Sequence, residues 1–130
     1  MYKVGCAIML FLLLNSCDTP KSLLFENKTN DSISIAYYCN KGHRIVDVPD
    51  NSYIEKDTLK FKIPSSQRDG ICFGMGGWNK KVIADFFSPS TQSIICIISE
   101  KDTIQYTGEK LVSLLQKNRK GRKIIKLVVE

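Results

Sequence analysis

Ile33, Ile35, Tyr37 and Cys39 alternate with Ser32, Ser34, Ala36 and Tyr38. A period of two puts successive side chains on opposite faces of a strand, so this stretch must lay its apolar members on a core and its polar ones in solvent. Leu59, Phe61 and Ile63 repeat the pattern against Lys60 and Lys62, and Pro64, which cannot donate to a ladder, ends it. Two half-buried strands at such separation commit the chain to sheet.

The rest of the chain fits around them. Leu23 to Glu26 reads as a first strand, closed by an Asn-, Asp- and Thr-rich turn over residues 27–31, and residues 44–48 as another between the Asn40-Lys41-Gly42 and Pro49-Asp50-Asn51-Ser52 turns. Residues 65–69 read as loop and 71–73 as strand. The glycines of Gly74-Met75-Gly76-Gly77 then free the backbone for a change of direction. Trp78, Val82 and Phe86 recur at helical spacing, with Pro89 barring continuation. Ile94-Ile95-Cys96-Ile97-Ile98 is apolar on both faces and β-branched, the pattern of a central strand. Residues 103–106 read as strand, and Thr107 as the cap of a helix with Glu109 in its first turn and Leu111, Leu114 and Leu115 as its buried stripe. The helix should end near Asn118, turn at Gly121 and lead into a last strand over 123–129.

Ahead of this lies an apolar run, Val4 to Leu14, behind Lys3 and the initiating amine and ending on Leu14-Asn15-Ser16-Cys17. A positive start, a short apolar core and small residues before a cut are the parts of a secretory signal. The run falls well short of the roughly 20 residues that cross about 30 Å of hydrocarbon, so a permanent spanning helix is not expected. Its ending resembles the lipobox of bacterial lipoproteins, which implies cleavage before Cys17 and acylation of its thiol. Two or three acyl chains would anchor durably where a single one anchors marginally. The expected organisation is a signal peptide over residues 1–16, a lipidated tether over 17–22 and one domain over 23–130.

Loss of residues 1–16 removes one base, Lys3, and no acid, leaving a formal charge of +5 in place of +6. About 110 residues bury enough surface for one core without metal or disulfide staples. Of five cysteines, Cys6 leaves with the signal and Cys17 is acylated. Cys39, Cys72 and Cys96 remain, an odd number inside strand-like runs; they are expected as buried thiols, with one disulfide plus a leftover as the alternative.

Phe25-Glu26-Asn27, Pro49-Asp50, Trp78 before a short helix, the apolar strand running into Asp102-Thr103, and the helix entry at residues 106–109 form a layout. That layout resembles the small lipoproteins of gut Bacteroidales, a group with no established activity. The resemblance covers nearly the whole mature chain and implies a compact β-sandwich with one or two added helices. The chain departs from it at the end, where Ile124 to Val129 stand behind a basic turn in place of an aromatic strand. The fold expected is therefore mainly β, of the α+β class: a single antiparallel β-sandwich with two short helices.

Catalytic signals are sparse. His43, the sole histidine, follows Cys39 by four residues, the minimum for a thiol nucleophile or half a metal site, but no further ligands cluster with it. The glycines at 74–77 match neither the P-loop nor the dinucleotide spacing, and Asp47, Asp50, Asp57 and Asp69 form no evident acid–base pair. No enzyme activity, cofactor, metal or nucleic-acid partner is expected. Asp31-Ser32-Ile33, Asp57-Thr58-Leu59 and Asp102-Thr103-Ile104 resemble the O-glycosylation sequon of Bacteroidetes, which would modify Ser32, Thr58 and Thr103; a turn feeding a strand has the same composition. Lys117, Arg119, Lys120, Arg122 and Lys123 crowd a helix end and turn with no acid between Lys110 and Val129. They read either as a solvated turn or as a contact for an anionic surface. The function expected is that of a non-catalytic interaction or accessory module anchored by lipid in the cell envelope, at the outer membrane, with envelope proteins or polysaccharide as partners. A glycan- or anionic-polymer-binding module, with Tyr38, Tyr53 or Trp78 lining a groove, is the first alternative, and a Cys39/His43 enzyme the second.

Overall fold

The computed structural model describes residues 20–39 and 45–130. In chain order it has β1 (Ser22–Asn27), β2 (Ile33–Tyr38), β3 (Ile45–Asp47), β4 (Tyr53–Glu55), β5 (Thr58–Ile63), β6 (Arg68–Phe73) and α1 (Lys80–Phe86). A 3-10 turn (Pro89–Thr91) leads to β7 (Ile94–Ile98), β8 (Thr103–Thr107), α2 (Gly108–Lys117), β9 (Arg119–Lys120) and β10 (Ile124–Val129). The strands form two five-stranded sheets, ordered β3-β6-β1-β10-β9 and β4-β5-β2-β7-β8. Their inner faces meet, with Phe25 of β1 5.9 Å from Phe61 of β5 and Tyr37 of β2 5.9 Å from Phe73 of β6, ring centroid to centroid. The fold is thus mainly β, two layers with two short helices, as the sequence implies.

Alternation sets the register. Leu23 and Phe25, Ile33 and Ile35, Leu59, Phe61 and Ile63, and Ile125 and Leu127 all face inward and are buried. Each large side chain so buried contributes about 1.5–3 kcal/mol, and a slip of one residue would turn a whole strand's set outward. The buried residues run from Lys21 to Leu127, so a chain starting at residue 17 carries the whole described core.

Several expectations are corrected. The sandwich is not wholly antiparallel: β1 and β10 pair in parallel, Ser22 opposite Ile124 through Asn27 opposite Val129, while the other pairings are antiparallel. The 94–98 strand is not central, since β2 holds the middle of its sheet and β7 lies between β2 and β8. Ile95 and Ile97 face the core, but Ile94 and Cys96 are half-buried and Ile98 is exposed on the outer face. Strand β6 begins at Arg68, inside the expected loop, and β4 and β9 are additional.

The α1 stripe is also displaced. Trp78 precedes the helix, Asn79 caps it by accepting from Val82 N, and the buried pair is Ile83 with Phe87, flanked by half-buried Val82 and Phe86. In α2, Leu111 and Leu115 are buried and Leu114 half-buried, while Thr107 occupies the cap position without a side-chain bond. The two helices pack on each other, and α2 touches β7 and β8 of one sheet and β10 of the other, so they close one side of the sandwich.

The domain starts earlier than expected. Lys21, read as tether, is 7% exposed, and Ser22 already pairs with Cys72 and Ile124.

Candidate functional site

The expected cations at 117–123 lie beside the start of β1 and engage the neighbouring loop. At the end of the sandwich where β1 and β10 begin, Ser22 N donates to Lys123 O (2.8 Å) and Phe73 N to Lys21 O (2.8 Å). Trp78 is tied down twice, its Nε1 donating to Ser22 O (2.9 Å) and its amide to Arg122 O. Fully buried at 1% exposure, it packs edge-on against Phe73 and Phe86 and tilted against Phe87.

The glycine-rich loop at 74–77 is thereby stretched across the strand ends with its carbonyls facing cations. Lys21 Nζ donates to Gly74 O (3.2 Å) and Met75 O (3.0 Å), Lys123 Nζ to Gly76 O (2.6 Å), and Arg119 Nη1 to Trp78 O and Gly121 O (3.3 Å each). This is the reverse of a phosphate cradle, which would present amides to an anion. Gly76 is favoured by its φ of +100°, and the stem of Arg122 packs over Gly77, where a Cβ would make that flexible side chain shift. Lys21 also lies over two rings, 5.4 Å from the Trp78 centroid and 5.2 Å from that of Phe86. Burial first, and the charge of Lys123 second, lower its pKa from the ordinary lysine value.

The five expected cations therefore divide. Arg119 and Lys123 are spent partly on loop carbonyls, Arg122 packs its stem on Gly77, Lys117 sits in the last turn of α2, and Lys120 stands on edge strand β9 opposite Ile124. Lys80 joins them, because Gln116 Nε2 donates to its carbonyl (2.9 Å). Lys80, Lys117, Arg119, Lys120 and Arg122 are exposed, and among the described residues none of the six is in an ion pair. Met75, at the tip of the clamped loop, is 55% exposed. Sequence reasoning missed Lys21, Lys80 and Met75; a lysine beside Pro20 and a methionine between glycines carry no pattern that would mark them.

The other candidate residues lie apart. Cys17 is outside the described residues, and so is His43. Cys39 is buried and points its Sγ at Thr91 O (3.7 Å), while Thr91 Oγ1 and Ser93 Oγ are 2.8 Å apart. No disulfide joins Cys39, Cys72 and Cys96, and Cys72 and Cys96 are half-buried where full burial was expected. Cys72 lies opposite Ser22 on the outer face of one sheet and Cys96 opposite Ala36 on the outer face of the other, so two sheets stand between them. Burial raises both thiols, with Asp47 and Asp69 adding to it at Cys72.

The aromatic groove fails at Trp78, which is core. Tyr38 is half-buried beside a shallow hollow of about 340 Å³ formed with Ala36, Thr58, Ile94, Cys96 and Gln105, and Tyr53 is 56% exposed on edge strand β4. Ser32 and Thr103 are exposed at the end of the sandwich away from Lys21; Thr58 is half-buried at the start of β5. Asp102 Oδ1 accepts from Thr103 N (2.8 Å) and Ser99 Oγ from Asp102 N (3.1 Å), which gives the Asp-Thr pair a role in the turn itself. No described helix is long and apolar enough to cross a membrane, and no group of three or more metal-ligating side chains is present among the described residues. Comparison with protein-family models, with curated proteins and with solved structures gives no match.

Proposed function

We propose that this chain is a lipid-anchored, non-catalytic module of the cell envelope, held at the outer membrane through acylated Cys17 and serving as an interaction or accessory component for envelope proteins or polysaccharide. The observation that carries the reading is the apolar run closing on Leu14-Asn15-Ser16-Cys17. The position of Lys21, fixed in the domain four residues after Cys17, fits a lipid that holds the globule close to the bilayer. Kinship with the small lipoproteins of Bacteroidales belongs to the same proposal.

Intact-mass analysis of the native protein tests it. The expected mass begins at Cys17 and includes a diacylglycerol group with or without an amide-linked acyl chain; an unmodified N-terminus elsewhere overturns the reading. The same spectrum reads glycan on Ser32, Thr58 and Thr103, and a mass explained by polypeptide and lipid alone assigns those three Asp-Ser/Thr pairs to turn structure. The second reading, a module for glycan or anionic polymer, draws its support from the exposed cations around β9, since Trp78 is unavailable for stacking.

A further inference from the structure

We propose that the clamped 74–77 loop, with Met75 at its tip and Lys80, Lys120 and Arg122 around it, is the surface that this domain lays on an anionic bilayer. The inference rests on the reading of Cys17 as the acylated residue for its geometry, and adds which face meets lipid and through which side chains.

Covalent geometry supplies the first argument. Lys21 follows Cys17 by four positions, so their Cα atoms lie no more than about 14 Å apart in any conformation of the intervening chain. The headgroup layer takes up about 6 Å of that reach. Lys21 is bonded to the carbonyls of Gly74 and Met75, so this loop rides at the point where the anchor enters the domain. What remains of the reach is close to one Debye length, about 8–10 Å at ordinary ionic strength. Charges on this end therefore lie within about one Debye length of the headgroups, where salt weakens their attraction without abolishing it.

Chemistry supplies the second. Lys80, Lys117, Lys120 and Arg122 are exposed, and the sequence carries no acid between Lys110 and Val129. Anionic headgroups attract each such cation by about 1 kcal/mol near the surface. Met75 is apolar and exposed on the neighbouring loop, whose carbonyls are held by Lys21 and Lys123 and whose Gly77 lies under the stem of Arg122. An apolar tip on a loop held by cations matches a lipid interface, where the tip enters the acyl boundary and the exposed cations stay with phosphate. A soluble polyanion would engage the cations alone.

The test uses the chain from residue 17 carrying Cys17→Ser, so that no acyl group contributes, with vesicles of phosphatidylcholine containing about one third phosphatidylglycerol. Co-sedimentation at low salt is expected, with binding lost at high salt. Met75→Glu should lower the partition coefficient about tenfold, while Ile54→Glu, at a 75% exposed position on the far edge of the other sheet, should leave it unchanged. Circular dichroism confirms that both variants are folded. Failure of the Cys17→Ser chain to sediment at low salt overturns the proposal, as does equal binding when it also carries Met75→Glu. Retention on heparin with no vesicle binding overturns it in favour of a soluble polyanion. Acylation of Cys17 is read separately from the native mass, so either reading can fail without the other.

Discussion

The ammonium of Lys21 lies 5.4 Å from the centroid of the Trp78 ring, at the spot where the chain enters its first strand. A charged group 7% exposed holds there because two carbonyls and two ring faces replace its water. The same contacts tie the first residue of the globule to a loop more than fifty positions away.

Lys21→Met keeps the stem and removes those contacts. It should cost about 2 kcal/mol, from one charged hydrogen bond's worth of net energy plus the ring contacts. Urea unfolding measures it, and an unchanged midpoint would show the clamp to be energetically idle.

The titration of Lys21 gives a second check. Its folded pKa lies below the unfolded value, so on rising pH the folded state sheds this proton first and the unfolded state binds more. The contribution of this group to stability therefore rises with pH between the two values. Lys123→Gln removes the second cause of the shift, and NMR titration of the Lys21 side chain should move upward; a fixed titration would leave burial as its sole cause.

Asn27 is wholly buried, and every polar position of its side chain is used. Its Nδ2 donates to Asp31 O (2.7 Å) and Ile63 O (3.0 Å), and its Oδ1 accepts from Thr29 N (2.9 Å) and Thr29 Oγ1 (2.6 Å). It thus links β1 of one sheet to β5 of the other. Asn27→Asp replaces a donor by an acceptor facing two carbonyls and should cost about 3 kcal/mol or more at neutral pH. Thermal unfolding checks this, with Lys28→Gln as a surface control.

Glu26 and Lys126 meet across the parallel pair at 2.8 Å. The hydrogen bond from Lys126, against the opposing effect of burial, holds the Glu26 carboxyl below the usual range, helped by the charges of Lys126, Lys28 and Arg68. A depressed carboxylate contributes stability that is complete above the unfolded pKa and lost as pH falls through the folded one. Glu26→Gln should therefore flatten the acid limb of a stability–pH profile. An acid limb that stays as steep in the variant would assign the slope to other carboxylates.

Three thiols on separate layers, none in a disulfide, predict one alkylation pattern. Without reductant the folded domain should accept label at Cys72 and Cys96 slowly, because their thiolates are disfavoured, and at buried Cys39 slowest of all. Prior reduction should change nothing; a gain of two sites would reveal a disulfide.

Legibility followed periodicity. The alternation at 33–39 and 59–63 and the Leu111–Leu115 stripe each located an element and its buried face, because inward and outward positions there differ sharply in polarity. Periodicity failed where neighbours in space decide. Arg68 and Asp69 read as loop, yet they pair with Glu26 and Phe25. The Ile94–Ile98 run looked buried on both faces, but the helices cover a side of the sandwich and leave the outer face of that sheet open. The cations at 117–123 were visible as charge; their carbonyl partners, some forty residues away in the chain, were not.

The parallel pairing of β1 with β10 brings together residues roughly a hundred positions apart, and β1 is the middle strand of its sheet. Until the last six residues of that ladder arrive, the middle strand lacks one neighbour along its full length, and the shared core lacks Ile125 and Leu127. Contacts of such long range form late and slowly. A chain that emerges N-terminus first would therefore leave this sheet open until residues 124–129 had followed.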